Sequence, residues 1–190
     1  MTRILHVSDT HLGKRQYGDD TRREDFADAF DAAIDLAIDE QVDAVIHTGD
    51  LFDDPQPGVP DVNRCLDTLA KLNDAGILFY GIVGNHERKL DEQWLDLIDR
   101  FDLVHHLDET PVLVNDDVAL YGIDAIRAPS WNTYEFELEE PPASADITIV
   151  CMHHLFEELV PPQQANYELQ EVIDRLNITP TAIALGDYHG

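Results

Sequence analysis

Lysine is scarce in this sequence: only three of its 190 residues are Lys, and basic residues of both kinds number 12. Thirty-nine acidic residues oppose them, so the formal net charge is −27. The chain is nevertheless 44% hydrophobic, which excludes the composition of a disordered segment. Self-repulsion should destabilise the fold in dilute buffer, whereas molar salt reduces the Debye length to about 3 Å. The composition is therefore typical of a protein adapted to a salt-filled cytoplasm.

Long apolar runs and cysteines are also rare. The longest apolar stretches, such as residues 147–152, are far shorter than the roughly 20 residues that a membrane-spanning helix needs. The N-terminus passes directly into a strand-like run, so we expect no signal peptide. The two cysteines, Cys65 and Cys151, fall in a predicted helix and a predicted buried strand. We interpret them as buried thiols of a cytoplasmic protein, and a disulfide framework is not indicated.

Hydrophobic periodicity predicts alternating strands and helices in the first half and short, hairpin-like strands in the second. The predicted strands are residues 3–8, 43–48, 77–83, 111–114, 118–123, 147–152 and 182–185. The first long helix should carry a solvated acidic stripe of Asp28, Asp31, Asp35 and Asp39. The pattern favours a single α/β domain over residues 1–190, with two packed sheets and helices outside. Residues 134–144 should form an exposed loop.

Five of the predicted strands end in residues that bind metal ions. They are Asp9 with His11, Asp50, Asn85 with His86, His153, and Asp187 with His189. Ligands of open α/β sheets gather at the carboxyl ends of strands, so these loops should converge. Asp, His and Asn offer oxygen and imidazole ligands suited to manganese, iron or zinc. One such loop is weak evidence on its own, because turn residues and core histidines are common; five in this order indicate a metal site.

Several histidines also have plainer interpretations. His153 and His154 are adjacent in a strand, so their side chains point to opposite faces and only one can reach the site. His6 and His47 lie three residues before a proposed ligand. They can support the site from behind, but ordinary packing near strand ends is favoured. His105 and the neighbouring histidine have no glycine turn and are interpreted as surface or strand-end residues.

The order of these motifs resembles the calcineurin-like metallophosphoesterase superfamily over the whole chain. Finer features resemble the double-strand-break repair nuclease family called SbcD in bacteria and Mre-eleven in archaea and eukaryotes. These are residues 4–13 (ILHVSDTHLG), 23–26 with 29–30, 49–52 (GDLF) with Pro57, and 152–154 (MHH). The resemblance implies a four-layer α-β-β-α sandwich and favours His153 over His154 as the ligand.

Two divalent metal ions, with manganese as the expected metal, are implied by this resemblance. One would be held by Asp9, His11, Asp50 and His189, and the other by Asp50, Asn85, His153 and Asp187. Such a pair clamps a phosphodiester and activates the attacking water. His86 would be catalytic, stabilising developing charge or protonating the leaving oxygen. Glu87 would orient the loop that carries His86.

This sequence departs from the family pattern at two positions. Asp187 stands where the family usually has the first histidine of its last motif. Asp53 stands three residues after the bridging Asp50, where archaeal and eukaryotic members often have His and bacterial members do not. The first departure bears on the affinity and identity of the second metal, and the second bears on the positioning of the substrate.

Half of the twelve basic residues lie close to the first and third motifs. Lys14 and Arg15 follow the first, Arg88 and Lys89 follow the third, and Arg22 and Arg23 are nearby. Chance and a helix start explain part of this clustering. We favour a rim on which Lys14, Arg15, Arg88 and Lys89 bind substrate phosphates.

The resemblance implies a DNA nuclease subunit of double-strand-break repair, with 3′–5′ exonuclease and single-strand endonuclease activity on DNA ends. An alternative keeps the metal chemistry but acts on a small-molecule or cyclic-nucleotide phosphodiester. A third is a non-catalytic scaffold for an ATPase. The family's capping domain and the segment that binds an SMC-like ATPase of the SbcC/Rad-fifty type are absent from these 190 residues. The family also forms homodimers, for which Leu66, Leu69, Trp94 and Leu97 are the proposed contacts.

Overall fold

The computed structural model describes residues 1–18, 20–161, 163–165 and 167–188. Its first sheet has four parallel strands in chain order: β1 (Ile4–Val7), β2 (Ala44–His47), β3 (Leu78–Gly81) and β4 (His105–His106). Three helices follow its strands: α1 (Asp20–Asp39), α2 (Val59–Asp74) and α3 (Trp94–Asp99). This half has the predicted alternation of strand and helix.

The second sheet also has four strands in chain order: β5 (Val112–Val114), β6 (Val118–Ile123), β7 (Ile147–His153) and β8 (Ala182–Gly186). Only β5 and β6 form an antiparallel hairpin, whereas β6, β7 and β8 are parallel. The prediction that hairpins dominate this half was therefore wrong. The segments between its strands contain α4 (Ala128–Trp131) and α5 (Leu169–Arg175).

Alternate residues of each strand enter different cores, as the two-residue period of a strand requires. Ala44 and Ile46 of β2 pack in a core shared with β6 and β7, whereas Val45 packs against the first three helices. A third core lies on the outer side of the second sheet and includes Tyr121. Helices, sheet, sheet and helices therefore form the four layers of an α-β-β-α sandwich, as expected.

The acidic stripe on α1 is mostly exposed, as predicted, but cations of α2 pair with three of its carboxylates. The guanidinium of Arg64 on α2 lies 2.8 Å from Asp28 and also contacts Asp31, and Lys71 contacts Asp35. Two of the chain's few cations thus hold α1 and α2 together. Charge pairing between helices, which the sequence pattern did not show, governs this surface.

Residues 134–144 have no regular secondary structure, as predicted, but they are not uniformly exposed. Phe136 and Leu138 are buried in the core outside the second sheet. The ring of Phe136 packs edge-on against Trp131 at 5.6 Å between centroids. Glu135 and Glu137, on either side of Phe136 in the sequence, are exposed, so the side chains of this segment alternate between buried and exposed.

Both cysteines are buried and free, as expected. Burial raises the pKa of Cys151 to about 12, and burial likewise raises the pKa of Cys65. Within the described ranges, no helix combines the length and apolarity that crossing a bilayer requires.

Leu69, one of the proposed dimer contacts, is fully buried in the helix-side core and is unavailable to a partner. Leu66 and Trp94 are partly buried against the same core, and Leu97 is half-buried. A dimer through these helices remains a prediction, without Leu69. The pattern of apolar residues on a helix did not separate inward from outward positions.

His106 is not a plain strand-end residue, because it connects α3 to the second sheet. Its Nδ1 lies 2.7 Å from Asp96 and its Nε2 lies 3.0 Å from Asp124, which follows β6. Burial lowers the pKa of His106, but the two carboxylates outweigh burial and raise it to about 9. The charged ring therefore stabilises the contact between the two halves of the sandwich.

The stability of the domain should fall as the pH rises from 6.5 to 9. The folded pKa of His106 exceeds its ordinary value of 6.5, so its contribution is complete below pH 6.5 and disappears as the ring loses its proton near pH 9. We expect a loss of about 1–2 kcal/mol, because the partner carboxylates are partly exposed. Chemical denaturation of the wild type and of His106→Asn across this pH range measures the loss. If the free energy of unfolding changes with pH in parallel for both proteins, His106 does not have this role.

Candidate metal centre

The first two site loops run side by side at the carboxyl edge of the first sheet. The backbone N–H of Asp9 donates to Gly49 over 3.1 Å, and that of His11 donates to Asp50 over 2.9 Å. These bonds continue the pairing of β1 with β2 beyond the strands. Their effect is to hold the side chains of Asp9, His11 and Asp50 at one edge, as the motif positions predict.

Four of the predicted ligands have a left-handed backbone. The φ angles are 56° for Asp9, 44° for His11, 58° for Asp50 and 76° for Asp187. Residues other than glycine rarely adopt this conformation, which costs of order 1–3 kcal/mol each and concentrates at functional sites. The backbone is thus strained where the metal-binding side chains converge. No sequence pattern indicated this strain.

Two glycines permit the close approach of these loops. A Cβ on Gly84 would lie 2.1 Å from Oδ1 of Asp50, and a Cβ on Gly186 would lie 2.2 Å from the carbonyl oxygen of Thr48. Neither position has room for a side chain. The close packing of these loops therefore requires glycine at both positions.

His153 presents one ring nitrogen to the oxygen ligands. Its Nδ1 donates to the carbonyl of Thr48 over 2.6 Å, which turns Nε2 toward the site. Nε2 lies 3.0 Å from Oδ1 of Asn85, 3.1 Å from Oδ2 of Asp50 and 3.8 Å from Oδ1 of Asp187. A backbone carbonyl that fixes the tautomer is the usual support of a metal-binding histidine. The four residues predicted for the second metal therefore converge.

His11 lies on the other side of Asp50 and is fully buried. Its Nε2 is 3.9 Å from Asp9 and 3.8 Å from Asp50, while its Nδ1 is 3.1 Å from Asp53. Burial lowers the pKa of His11 to about 4, although the charge of Asp50 opposes this. Asp53, a departure from the family pattern, lies beside this ring at ion-pair distance.

Asp50 lies between the two groups. Its Oδ1 accepts the backbone N–H of His86 over 2.9 Å. Its buried Oδ2 receives no well-formed hydrogen bond from the described part of the chain, although ring nitrogens of His153 and His11 lie 3.1 and 3.8 Å away. Burial raises the pKa of Asp50, but the adjacent His153 and the His86 N–H outweigh it, and the pKa is lowered.

The donor set fits divalent cations. Asp9, Asp50 and His153 place ligand atoms within 4.8 Å of one another, as do His11, Asp53 and His86. Hard and borderline ions bind carboxylate oxygen and imidazole nitrogen, and a buried carboxylate oxygen between two imidazoles suits a bridging ligand. His189 lies outside the described residues, so its predicted place beside Asp9 and His11 remains a prediction.

His86 lies at the open side of the centre and is 44% exposed. Its ring packs edge-on against His11 at 4.8 Å between centroids, and its Nδ1 is 3.3 Å from the carbonyl oxygen of Asp53. The neighbouring Asn85 extends toward His153 instead. Both residues are exposed, but their side chains contact different groups: the Asn85 amide lies against His153 and the His86 ring lies against His11.

Glu87 joins two of the site loops, as its predicted orienting role requires. Its buried carboxylate accepts the backbone N–H of Phe52 over 2.9 Å and that of Gly84 over 3.2 Å. Burial raises the pKa of Glu87 to about 7. The loop after β3 is therefore attached to the loop after β2, and both position the predicted ligands.

His154 and His47 pack in the structure around the site. His154 points away from His153, accepts the backbone N–H of Ile126 over 2.9 Å and packs against Trp131. His47 is buried, pairs with Thr10 over 3.0 Å and stacks on a phenylalanine of β3. Packing near strand ends, the favoured interpretation of His47, agrees with these contacts.

Most of the cations proposed as a phosphate-binding rim are paired within the chain. Lys14 lies 3.6 Å from Asp53, Arg15 lies 3.1 Å from Asp20, and Lys89 lies 3.5 Å from Asp91. Arg22 and Arg23 also pair with carboxylates of Asp25 and Asp61. Arg88 differs, because it forms no ion pair within 4.0 Å among the residues that the structure describes. The proposed role of the four rim cations stays a prediction.

The fold and the arrangement of carboxylates and imidazoles define a metal-dependent hydrolase of the α-β-β-α sandwich class. The chain belongs to the calcineurin-like phosphoesterase family, whose profile matches residues 2–188. A solved structure, TT1561 of Thermus thermophilus, has the same fold with a TM-score of 0.61 and 15% identity, covering 97% of this chain and 81% of that one.

Two curated relatives are each 42% identical to the chain. One, of Methanosarcina mazei, aligns with 98% of this chain and 30% of its own length. The other, of Halobacterium salinarum, aligns with 100% of this chain and 47% of its own length. Both are named DNA double-strand break repair protein Mre11. The resemblance to this repair family is confirmed, and the chain spans less than half the length of either relative.

Proposed function

We propose that this domain is a two-metal phosphodiesterase that hydrolyses DNA, as the nuclease part of a double-strand-break repair protein. The observation that carries the proposal is the convergence on Nε2 of His153. Three oxygens, from Asn85, Asp50 and Asp187, surround it at 3.0, 3.1 and 3.8 Å. His11 lies on the opposite side of Asp50, close to Asp9, where the first ion would bind.

Asp9, His11, Asp50 and His189 would hold one ion, and Asp50, Asn85, His153 and Asp187 the other; manganese suits this oxygen-rich set. Bound there, two such ions would supply Lewis acidity and an activated water. The protein's own residues orient and shield this centre. Asp53 directs the ring of His11, the Thr48 carbonyl directs that of His153, and Glu87 connects the loops.

His86 is the residue proposed to act on the substrate. Its backbone N–H is bonded to Asp50, so its ring is held beside the metal ligands while it remains open to solvent. An imidazole in this place can donate a hydrogen bond to a phosphoryl oxygen or protonate the leaving oxygen. Asn85, one residue earlier, would be a ligand, because its Oδ1 lies 3.0 Å from Nε2 of His153.

DNA is the proposed substrate because the relatives named for double-strand-break repair align along nearly the whole chain. By the same likeness, the full protein would cut by 3′–5′ exonuclease and single-strand endonuclease steps and would assemble with an SMC-like ATPase and a second copy. We propose these as properties of the longer protein, acting in the cytoplasm.

A pair of assays tests the function with manganese at molar potassium chloride. Nicking of a supercoiled plasmid reports nuclease activity, and bis(p-nitrophenyl) phosphate reports cleavage of a simple diester. Activity on both supports a nuclease. Hydrolysis of the small ester alone would favour a small-molecule phosphodiesterase, and inactivity on both would favour a scaffold. Asp50→Asn serves as the inactive control, because Asp50 belongs to both proposed metal positions.

Asp187 should hold the second ion in place of the family's usual histidine. Its backbone N–H donates to Oδ2 of Asp9 over 3.0 Å, and its carboxylate lies 3.8 Å from Nε2 of His153. Asp187→Ala should therefore weaken one of two manganese affinities about ten-fold or more, the usual order when support of a metal site is removed. Titration calorimetry with manganese measures both sites.

Asp187→His provides the matched comparison, since it restores a ligand of the family's usual type. It should recover binding and shift preference away from manganese, because imidazole suits softer ions better than carboxylate does. Unchanged affinity at both sites in Asp187→Ala would show that Asp187 only shapes the turn.

A further inference from the structure

Two arginines differ from the other cations of this acidic protein. Ten of the twelve Lys and Arg side chains lie within 4.0 Å of a carboxylate. Arg88 and Arg127 are the exceptions, and neither has an ion pair with any residue that the structure describes. With 39 acidic residues against 12 basic ones, two unpaired guanidinium groups are unexpected as chance surface residues.

Both exceptions line the same two cavities. One cavity, of about 460 Å³, extends from Asn85, His153 and Asp187 past Arg88 and Arg127 to Tyr167. The other, of about 370 Å³, continues from the two arginines toward His106. The arginines therefore lie where the two cavities meet, on the side of the proposed second metal. Each volume exceeds what one phosphate needs and falls in the range of small-ligand sites.

The backbone that carries Arg127 is fixed from both sides. Asp124 accepts the backbone N–H of Val83 over 2.8 Å, and Ala125 donates to the carbonyl of Val83 over 2.9 Å. Ile126 donates to His154 over 2.9 Å. Oδ1 of Asp124 accepts the Val83 N–H and lies 3.0 Å from Nε2 of His106. Asp124 forms no ion pair with either arginine within 4.0 Å.

The two guanidinium groups lie close enough to repel each other. Burial lowers the pKa of Arg88, the charge of Asp124 opposes this, and the charge of Arg127 adds to it. Carboxylates also line these cavities, Asp124 and Glu109 in one and Asp187 in the other. None of them forms an ion pair with Arg88 or Arg127 within 4.0 Å, so the two like charges favour an anion. The planar fork of arginine matches phosphate oxygens.

We infer that Arg88 and Arg127 form a phosphate-binding pair that holds a second phosphate of the substrate, next to the scissile one, on the side of Asn85, His153 and Asp187. The inference rests on the proposed function and deepens it. It predicts that the site prefers a polynucleotide to a diester with one phosphate. Arg127, which no sequence motif singled out, becomes a positioning residue for the strand.

Equilibrium binding tests the pair without catalysis. The probe is a fluorescent single-stranded oligothymidylate in EDTA, followed by anisotropy over the potassium chloride range in which circular dichroism shows folded protein. Arg127→Gln should weaken binding about ten-fold, as expected when a charge-assisted hydrogen bond is removed. The salt slope of log K should fall by about 0.7 for each phosphate that the protein no longer neutralises. Arg100→Gln, an exposed arginine paired with Glu92, should change neither quantity.

Kinetics provide the second readout. Arg127→Gln should raise KM about ten-fold for the oligonucleotide and leave kcat/KM for bis(p-nitrophenyl) phosphate unchanged, because that ester has no second phosphate. Arg127→Lys should recover part of the loss, since it keeps the charge without the fork. Equal losses on both substrates would overturn the inference, because the pair would then act on the scissile phosphate or on the fold.

The outcomes separate this inference from the proposed function. If binding depends on the arginines but the wild type does not cleave DNA, the inference about the arginine pair is supported and the proposed nuclease function is wrong. If Arg88→Gln and Arg127→Gln change neither cleavage nor binding, the inference about the arginine pair is wrong and the proposed nuclease function is unaffected. Absence of oligonucleotide binding by the wild type would also overturn the pair.

Discussion

His86→Ala should keep two bound metal ions and lose about 10²–10⁴-fold of the nuclease rate, the range expected for a removed general acid or charge-stabilising imidazole. The reason is geometric. The backbone N–H of His86 is hydrogen-bonded to Asp50, whereas its ring faces solvent at 44% exposure and the side chain of Asn85 contacts His153, so Asn85 is the proposed ligand. Metal content by mass spectrometry and single-turnover cleavage of DNA measure the two effects.

The leaving group separates the two possible roles of His86. A p-nitrophenolate leaves without protonation, so a general acid matters little for bis(p-nitrophenyl) phosphate, and the loss should then be confined to DNA. Charge stabilisation predicts comparable losses on both substrates. His105→Ala is a matched control, because His105 is 43% exposed and lies in β4, outside the metal centre. A lost ion in His86→Ala would identify His86 as a ligand instead.

The domain should be destabilised in dilute buffer and recover at molar potassium chloride. Its net charge of −27 acts against a net stability that is only about 5–15 kcal/mol for a typical domain. Screening shortens the Debye length from about 10 Å at 0.1 M to about 3 Å at 1 M, so the repulsion weakens with salt. Thermal melts by circular dichroism from dilute buffer to molar salt provide the measurement.

Removing charge should substitute for salt if repulsion is the cause. Glu135→Gln with Glu137→Gln neutralises two exposed side chains of an irregular segment. The double variant should melt higher than the wild type in low salt and equally at molar salt. A melting temperature that does not change with salt in the wild type would contradict the prediction.

Much of the fold could be predicted from periodicity. Strands and helices appear where apolar residues recur at two or about four positions, since that spacing requires one buried face. The parallel order of β6, β7 and β8 was not predicted, because pairing direction depends on the connections between strands. The inward turn of Phe136 and Leu138 was also missed, because a short irregular segment has no period to reveal it.

The sequence by itself determined the candidate metal centre as a set: Asp9, His11, Asp50, Asn85, His153 and Asp187 each follow a strand, and parallel strands end at one edge. Only the tertiary structure decided the rest. The left-handed backbone at four of these residues depends on how their loops pack. The contact of His11 with Asp53 and the bridge of His106 between Asp96 and Asp124 join segments distant in the chain. The lack of an ion pair at Arg88 and Arg127 among the described residues is likewise a property of the tertiary structure. Charges and hydrogen bonds find partners by proximity in space, and that proximity has no local signature in a sequence.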